Sequence, residues 1–467
     1  MNADQIQRLV SESGIEQVRI AWCDTHGELR AKSILPRALP SALKDGIGMV
    51  GTQALKDTSD RTAFKVFEPD GLAHLPMLAE FAQASNFMVK PIPESFRQLP
   101  WAEKTGWLQA QMIGSDGHPL TVDSRSILQK ALSLLEEKSY GMRCGLEIEF
   151  HIYKIENARP QTDPELAAWP GLPPAVSMIH PGYRLLSERW LDRADEPLQI
   201  VRKTCAALGL PLTSLEVEFG PSQVEAVFEV QDALAAADSM VLFRSAATQA
   251  LQRAGYHASF MCRPPFPGIM SSGWHLHQSL VDLETGRNTF TASGETLSEV
   301  GQHWLAGLLA HAQGICALAN PTLDAYERFR PNALAPTRAN WGIDSRSAML
   351  RVINADSHSA SSATRIENRI GSPLANPYLY LASQIHAGLD GVARKLQPPR
   401  AEDDQATALP ASLKDALTAL QTDTALSEGF GEQVLTWYAQ IKRQEIARHD
   451  AAQDKLDWIR REYFSRF

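Results

Sequence analysis

Five short stretches of this chain alternate apolar residues with residues able to do chemistry. They are Leu146-Glu147-Ile148-Glu149-Phe150, Leu215-Glu216-Val217-Glu218-Phe219, Gln223-Val224-Glu225-Ala226, Trp274-His275-Leu276-His277-Gln278-Ser279 and Arg365-Ile366-Glu367-Asn368-Arg369. A strand side chain changes face at every residue. Glu147 and Glu149 therefore share a face. So do His275, His277 and Ser279, and so do Arg365, Glu367 and Arg369. One antiparallel sheet curving these faces inward makes an acidic pocket with a basic rim. Carboxylates with imidazole suit hard divalent cations such as Mg²⁺ or Mn²⁺. Arginines beside such ions suggest phosphate handling. A Glu-x-Glu strand alone reads more readily as the solvated face of a sheet. The set reads differently: the apolar partners are bulky, and none of the five stretches contains Lys.

The elements that must position these residues follow from pattern. Residues 3–13 read as an amphipathic helix, Val18–Trp22 as a strand, Asp24–Gly27 as a turn and Leu29–Ile34 as a returning strand. The stretch 46–105 is rich in Pro, Gly and short apolar runs and reads as loops and strands. A helix runs from Ser124, capped by Ser or Asp, through Leu135. Residues 157–182 hold six prolines and read as a long loop. Further helices are expected over Asp232–Ala254, 375–396 and 425–449, and residues 397–410 should be exposed. The fold class is α+β, with a small N-terminal unit over 1–110 and a larger one over 111–467.

The chain has 467 residues and a formal charge of −9. No basic patch dominates, which argues against nucleic acid as a partner. Five scattered cysteines without C-x-x-C spacing suit a reducing cytoplasm. The N-terminus lacks the apolar core of a signal peptide. The longest apolar helix candidate, Trp304–Ala319, is interrupted by His311, Gln313 and Gly314 and is too short and polar to span a membrane.

In this order, the motifs Glu147-Ile-Glu149, Glu218-Phe-Gly-Pro-Ser-Gln-Val-Glu225, Gly273-Trp-His-Leu-His-Gln-Ser-Leu280, Asn320-Pro-Thr, Arg365-Ile-Glu-Asn-Arg369 and Ala375-Asn-Pro-Tyr-Leu resemble the glutamine synthetase family. The resemblance covers most of the chain and is strongest over 140–395. It implies an N-terminal β-grasp domain, then a catalytic domain with a curved antiparallel sheet flanked by helices. It also implies a homo-oligomeric ring, a hexamer or dodecamer, with active sites between subunits. Carried over, it assigns one metal to Glu149, Glu218 and Glu225, and a second to Glu147, His275 and Glu367. His277 and Ser279 match ATP-contacting positions, and Arg351, Arg365 and Arg346 match arginines around the nucleotide phosphates. Arg328 and Arg369 match arginines that hold glutamate and the transferred phosphoryl, beside His275 and Ser271. ATP is then a substrate, with Mg²⁺ or Mn²⁺ at two or more positions per site.

The chain departs from the family pattern where the family binds ammonium. The flap reads Arg330-Pro331-Asn332-Ala333-Leu334-Ala335-Pro336, with Leu334 where the family has Glu. The family's Phe-Asp-Gly-Ser-Ser string is missing; Met49-Val50-Gly51-Thr52-Gln53-Ala54 stands in that region, with Asp57 and Asp60 nearby. Gly268-Ile269-Met270-Ser271-Ser272-Gly273 lacks the Asn-Gly that the family places against glutamate. No Tyr lies between Tyr380 and Tyr438, so the adenylylation site of regulated bacterial enzymes is not expected. Replacing a carboxylate by Leu makes the amine pocket more apolar. The expected activity is ATP-dependent γ-glutamylation of a hydrophobic alkyl or aromatic monoamine through a γ-glutamyl phosphate. The alternatives are glutamine synthetase proper using ammonia, a γ-glutamylpolyamine or γ-glutamylethanolamine synthetase, and a non-catalytic relative.

Overall fold

The computed structural model describes residues 2–292, 294–330, 334–354 and 363–467. Pro331, Asn332 and Ala333 of the flap lie outside the described residues. The N-terminal sheet contains β1 (Gln17–Cys23), β2 (Leu29–Ile34), β3 (Ile47–Val50), β4 (Asn86–Pro91), β5 (Arg97–Gln98) and β6 (Thr105–Ile113). Its order is β2-β1-β6-β4-β3, with β5 on β6. β1 lies parallel to β6 and antiparallel to β2. The helix Ala3–Glu12 starts in a capping box of Asn2 and Gln5 and buries Ile6 and Val10. Sheet and helix together make up the small N-terminal unit.

The second sheet is built on β7 (Tyr140–Asn157), with β8 (Ala175–Met178), β9 (Leu212–Val217), β10 (Gln223–Asp232), β11 (Tyr256–Ser259), β12 (Trp274–Asp282), β13 (Trp341–Ile343), β14 (Leu350–Ile353) and β15 (Arg365–Gly371). The order is β13-β14-β15-β12-β7-β10-β9, with β8 and β11 also on β7. The sheet is curved, and its pairings are antiparallel except β13 with β14. Leu146, Ile148, Phe150 and Ile152 of β7 point into the core. There Phe150 meets Phe243 of the helix Ala233–Arg253 edge-on, ring centroids 5.8 Å apart. That one-sided burial turns Glu147 and Glu149 to the opposite face.

Three expected elements differ. Residues 157–182 are not all loop: β8 adds an edge strand to β7, flanked upstream by short helical turns at Arg159–Thr162 and Pro164–Leu166. The helix expected over 425–449 is two, Thr424–Phe430 and Glu432–Asp450, broken at Gly431 with φ +88°. Trp304–Ala319 is also divided, into Glu299–Ala310 and Ala312–Ala319. The break falls at His311, whose imidazole sits 2.9 Å from Asp390 and 2.8 Å from Asp423. A buried imidazole needs such partners.

The helix Pro377–Ala393 packs so closely on Glu299–Ala310 that a Cβ at Gly307 would lie 2.1 Å from the Ala387 carbonyl. Asn376 caps this helix at Tyr378 N and Leu379 N, and its amide donates to the Asp24 and Thr25 carbonyls of the N-terminal turn. Arg244 donates to the carbonyls of Pro373, Ala375 and Gly27. The Ala375-Asn-Pro-Tyr-Leu motif is thus where the two units dock. No helix among the described residues is long and apolar enough to cross a membrane.

Candidate active site

Strand register assembles the site. β12 on β7 sets His275 opposite Glu147, and β10 on β7 sets Glu225 opposite Glu149. β12 on β15 sets His277 opposite Glu367, and β14 on β15 sets Arg351 opposite Glu367. Facing residues on neighbouring strands hold their Cβ atoms about 4.5–5.5 Å apart, so these pairs touch. Glu218 lies one residue past the end of β9, where its backbone N–H donates to the Gln223 carbonyl at 2.9 Å.

Two clefts result, and Glu147 lines both. The carboxylate cleft holds about 380 Å³. Of the residues expected from sequence it gathers Glu147, Glu149, Glu218, Glu225, His275, Ser271, Arg328, Leu334, Arg346, Arg351 and Arg369. The flanking cleft, about 350 Å³, takes His277, Ser279 and Arg365. Glu367 lines neither; it is buried between Arg351 Nη1 at 3.0 Å and Arg369 Nη1. The arginine expected beside the nucleotide at Arg351 thus opens onto the carboxylate cleft, pinned by Glu367 and Asp344.

One oxygen each from Glu149, Glu218 and Glu225 lies within 4.8 Å of the others. The second expected set meets at one ring nitrogen: His275 Nδ1 is 3.5 Å from Glu147 and 3.8 Å from Glu367. Among the described residues the mutual 4.8 Å spacing instead joins Glu147 with His277 and Glu367, and Glu147 with Glu225 and His275, and does not join Glu147, His275 and Glu367 as one set. His277 Nε2 lies 2.9 Å from Glu147, while Arg365 Nε donates to its Nδ1 at 3.0 Å. In that contact Nδ1 is the accepting nitrogen of the His277 ring.

The charges are unevenly balanced. Burial, then the charges of Glu149, Glu147 and Glu218, drive the Glu225 carboxyl far up from the ordinary range. Burial and Glu149 push Glu218 up to about 7. Burial opposes charge on Glu147 too, but His275 and His277 more than offset it and hold that carboxyl well below the usual range. Glu367 is likewise lowered: His275 and Arg369 outweigh its burial. Like-charged oxygens crowded beyond what neighbouring side chains neutralise, with one imidazole among them, suit divalent cations of the Mg²⁺ or Mn²⁺ type.

Two contributors escaped the sequence reading as site residues. Glu216 lines the cleft because β9 on β10 sets it opposite Glu225. The alternating pattern that exposes Glu218 holds Glu216 as well. Gln223 is buried, and its amide donates to Glu149 at 3.3 Å, to the Ser271 carbonyl and to Ser272 Oγ, both at 3.1 Å. Glu149 also accepts from Gly273 N at 2.7 Å. No spacing rule marks an amide whose role is to orient another side chain. Arg328 lines the cleft, yet its guanidinium donates to the carbonyls of Ile370, Gly371 and Arg369 at 3.3, 2.6 and 3.1 Å. Asp57 and Asp60 of the small unit do not line the cleft; they pair with Arg448 and with Arg30 and Arg466.

A curved sheet with carboxylates and imidazoles converging on its open face, ringed by arginines, is the build of an enzyme that brings anionic substrates together around metal ions. Residues 121–462 match the family model described as glutamine synthetase, catalytic domain. The chain is 37% identical to a gamma-glutamylanilide synthase from Acinetobacter sp, covering 99% of this chain and 95% of that protein. It is 29% identical to a gamma-glutamylethanolamide synthetase of Streptomyces coelicolor, over 100% of this chain and 96% of that one. A solved structure described as a GmaS/ADP complex superposes with TM-score 0.78 at 28% identity, covering 97% and 98% of the two chains. The chain belongs to the glutamine synthetase family. It is an ATP-dependent carboxylate–amine ligase.

Proposed function

We propose that this ligase joins the γ-carboxylate of glutamate to a hydrophobic alkyl or aromatic monoamine, giving a γ-glutamylamide. The observation that carries this reading is Leu334, an apolar residue lining the carboxylate cleft where the family resemblance places a Glu. The Acinetobacter relative, named for an anilide product, supports it.

A carboxylate is a poor acyl donor. A γ-carboxylate oxygen of glutamate therefore first attacks the γ-phosphorus of ATP, and the bond to ADP breaks. The amine nitrogen then attacks the acyl carbon, the C–O bond to phosphate breaks and the nitrogen loses a proton. Glutamate, ATP and amine thus give γ-glutamylamide, ADP and phosphate. Divalent ions held by Glu149, Glu218 and Glu225, and by Glu147, His275 and Glu367, would neutralise the phosphoryl oxygens. Arg328 and Arg369 hold glutamate and the transferred group, with Arg346 at the nucleotide phosphates. His277, Ser279, Arg351 and Arg365 steady the nucleotide. Ser271 offers backbone groups beside the glutamate, and Gln223 fixes the angle of Glu149.

We place a β-grasp unit over residues 1–110 and a catalytic unit over 111–467, in a homo-oligomeric ring. The five cysteines are buried thiols, which suits the cytoplasm. The test is phosphate release with glutamate, ATP and ammonia, ethanolamine, putrescine, isopropylamine or aniline. Aniline or isopropylamine should give the highest kcat/KM. Highest kcat/KM with ammonia would make the protein a glutamine synthetase proper.

A further inference from the structure

The rim of the carboxylate cleft carries Leu185 and Leu186, which are 55% and 61% exposed, and Leu334, which is 71% exposed. Met270 lines the same cleft. Water contact on this scale is unfavourable for leucine, and here it stands beside the acidic groups of a working site. The backbone is strained there as well. Tyr183, Leu186 and Leu334 have φ of +59°, +53° and +58°, a region that side chains other than glycine avoid. Strain of this kind persists only where neighbours impose it.

Those neighbours belong to the site. Tyr183 N donates to the Phe219 carbonyl at 2.6 Å, and Leu186 N to the Val217 carbonyl at 3.3 Å. Tyr183 Oη donates to the Gly268 carbonyl at 2.6 Å. The segment is therefore tied to the residues that flank Glu218, and from the other side to the loop that leads to Met270 and Ser271. Leu185 and Leu186 are positioned by the strand end that positions Glu218.

Resting on the γ-glutamylamide reading above, we propose that Leu185 and Leu186, with Met270 and Leu334, form the wall that receives the hydrocarbon body of the acceptor amine. Leu185 and Leu186 then set which amine is used. An aryl ring or branched alkyl group lies against this wall with its nitrogen toward the acidic floor. Ammonia has no carbon to place there and gains nothing from the wall.

The test compares acceptor ranking, which is internal to each variant and survives a general loss of activity. The wild type and the Leu185→Ala, Leu186→Ala and double variants are assayed with glutamate, ATP and either aniline, isopropylamine or ammonia. The ratio of kcat/KM for aniline to that for ammonia should fall by roughly tenfold in the double variant, the scale of losing apolar contacts in a specificity pocket. Leu186→Trp, which adds bulk, should lower aniline turnover more than isopropylamine turnover. A wild type that prefers aniline, with a ratio unchanged within about twofold in every variant, would overturn the wall and leave the γ-glutamylamide reading standing. A wild type that prefers ammonia would overturn both. Variants that keep the ratio but lose oligomer mass by light scattering would show the leucines to be an interface between copies, which also overturns the proposal.

Discussion

Glu225 faces Glu149 across the strand pair, Glu216 on its other neighbour, and the charge of Glu147. A carboxylate so placed is stable as an anion only beside cations, and a divalent ion supplies two charges at once. Replacing it with an amide of the same shape keeps the fold and removes a hard oxygen anion. Glu225→Gln should therefore reduce turnover by on the order of 10²-fold or more, since metal-ion stabilisation of the transition state amounts to several kcal/mol and each 1.36 kcal/mol is tenfold. It should also weaken Mn²⁺ binding measured by paramagnetic resonance on the protein without substrates. Near wild-type turnover with unchanged Mn²⁺ affinity would refute the site. At this scale the sequence was informative where chemistry and period coincide. Glu147, Glu149, His275 and Glu367 could be placed on faces from alternation alone. Gln223 could not, because an amide that orients a neighbour has no spacing of its own. Which carboxylates group around one cation came from the family resemblance and not from the pattern, because distances across strands depend on register, and register is not written in one strand.

At the scale of elements, the clearest departure from the sequence reading is the break at His311. The hydropathy of Trp304–Ala319 reads as one helix, but the run breaks at the one residue whose imidazole reaches two carboxylates. The structure ends one helix and starts another there, letting His311 Nε2 and Nδ1 meet Asp390 and Asp423, with Arg394 3.0 Å from Asp390. Burial lowers the pKa of this imidazole, but Asp423 and Asp390 more than offset it, and the net direction is up. A raised folded pKa means the stabilisation is complete below the ordinary histidine value and is lost as pH rises through the folded one. His311→Asn should destabilise the protein by roughly 1.5–3 kcal/mol near pH 6, the range for hydrogen bonds to charged groups. The difference in Tm between wild type and variant should shrink as pH is raised toward 9. A gap that widens with pH would show that the ring is neutral and that its role is packing alone. The Gly431 break has a simpler origin: an apolar pattern continues across it, and only the left-handed φ shows that the axis turns.

At the scale of the whole molecule, the residues lining the carboxylate cleft all come from Glu147 to Arg369. The small unit of the same chain docks elsewhere, through Asn376 and Arg244 and through Arg448, which holds Asp57 at 2.9 Å and Glu462 at 2.6 Å. The small unit nonetheless exposes Leu35, Val50 and Phe67. Its outer sheet edges, β2 and β3, carry unpaired backbone groups that another chain can cover. Exposed apolar residues and open strand edges on a unit that does not line its own chain's cleft suit contact with a second copy. Closed repetition of one such contact generates a ring. The protein should therefore run as a multiple of the 51.5 kDa chain in light scattering, at six or twelve copies. Activity per chain should fall on dilution below the dissociation range and return on concentration. A charge placed at the small unit's exposed surface, Phe67→Glu, should move mass and activity down together, although it lies outside the chain's own cleft. A stable monomer with full activity, or a Phe67→Glu variant that dissociates without losing turnover, would show that each chain completes its own site.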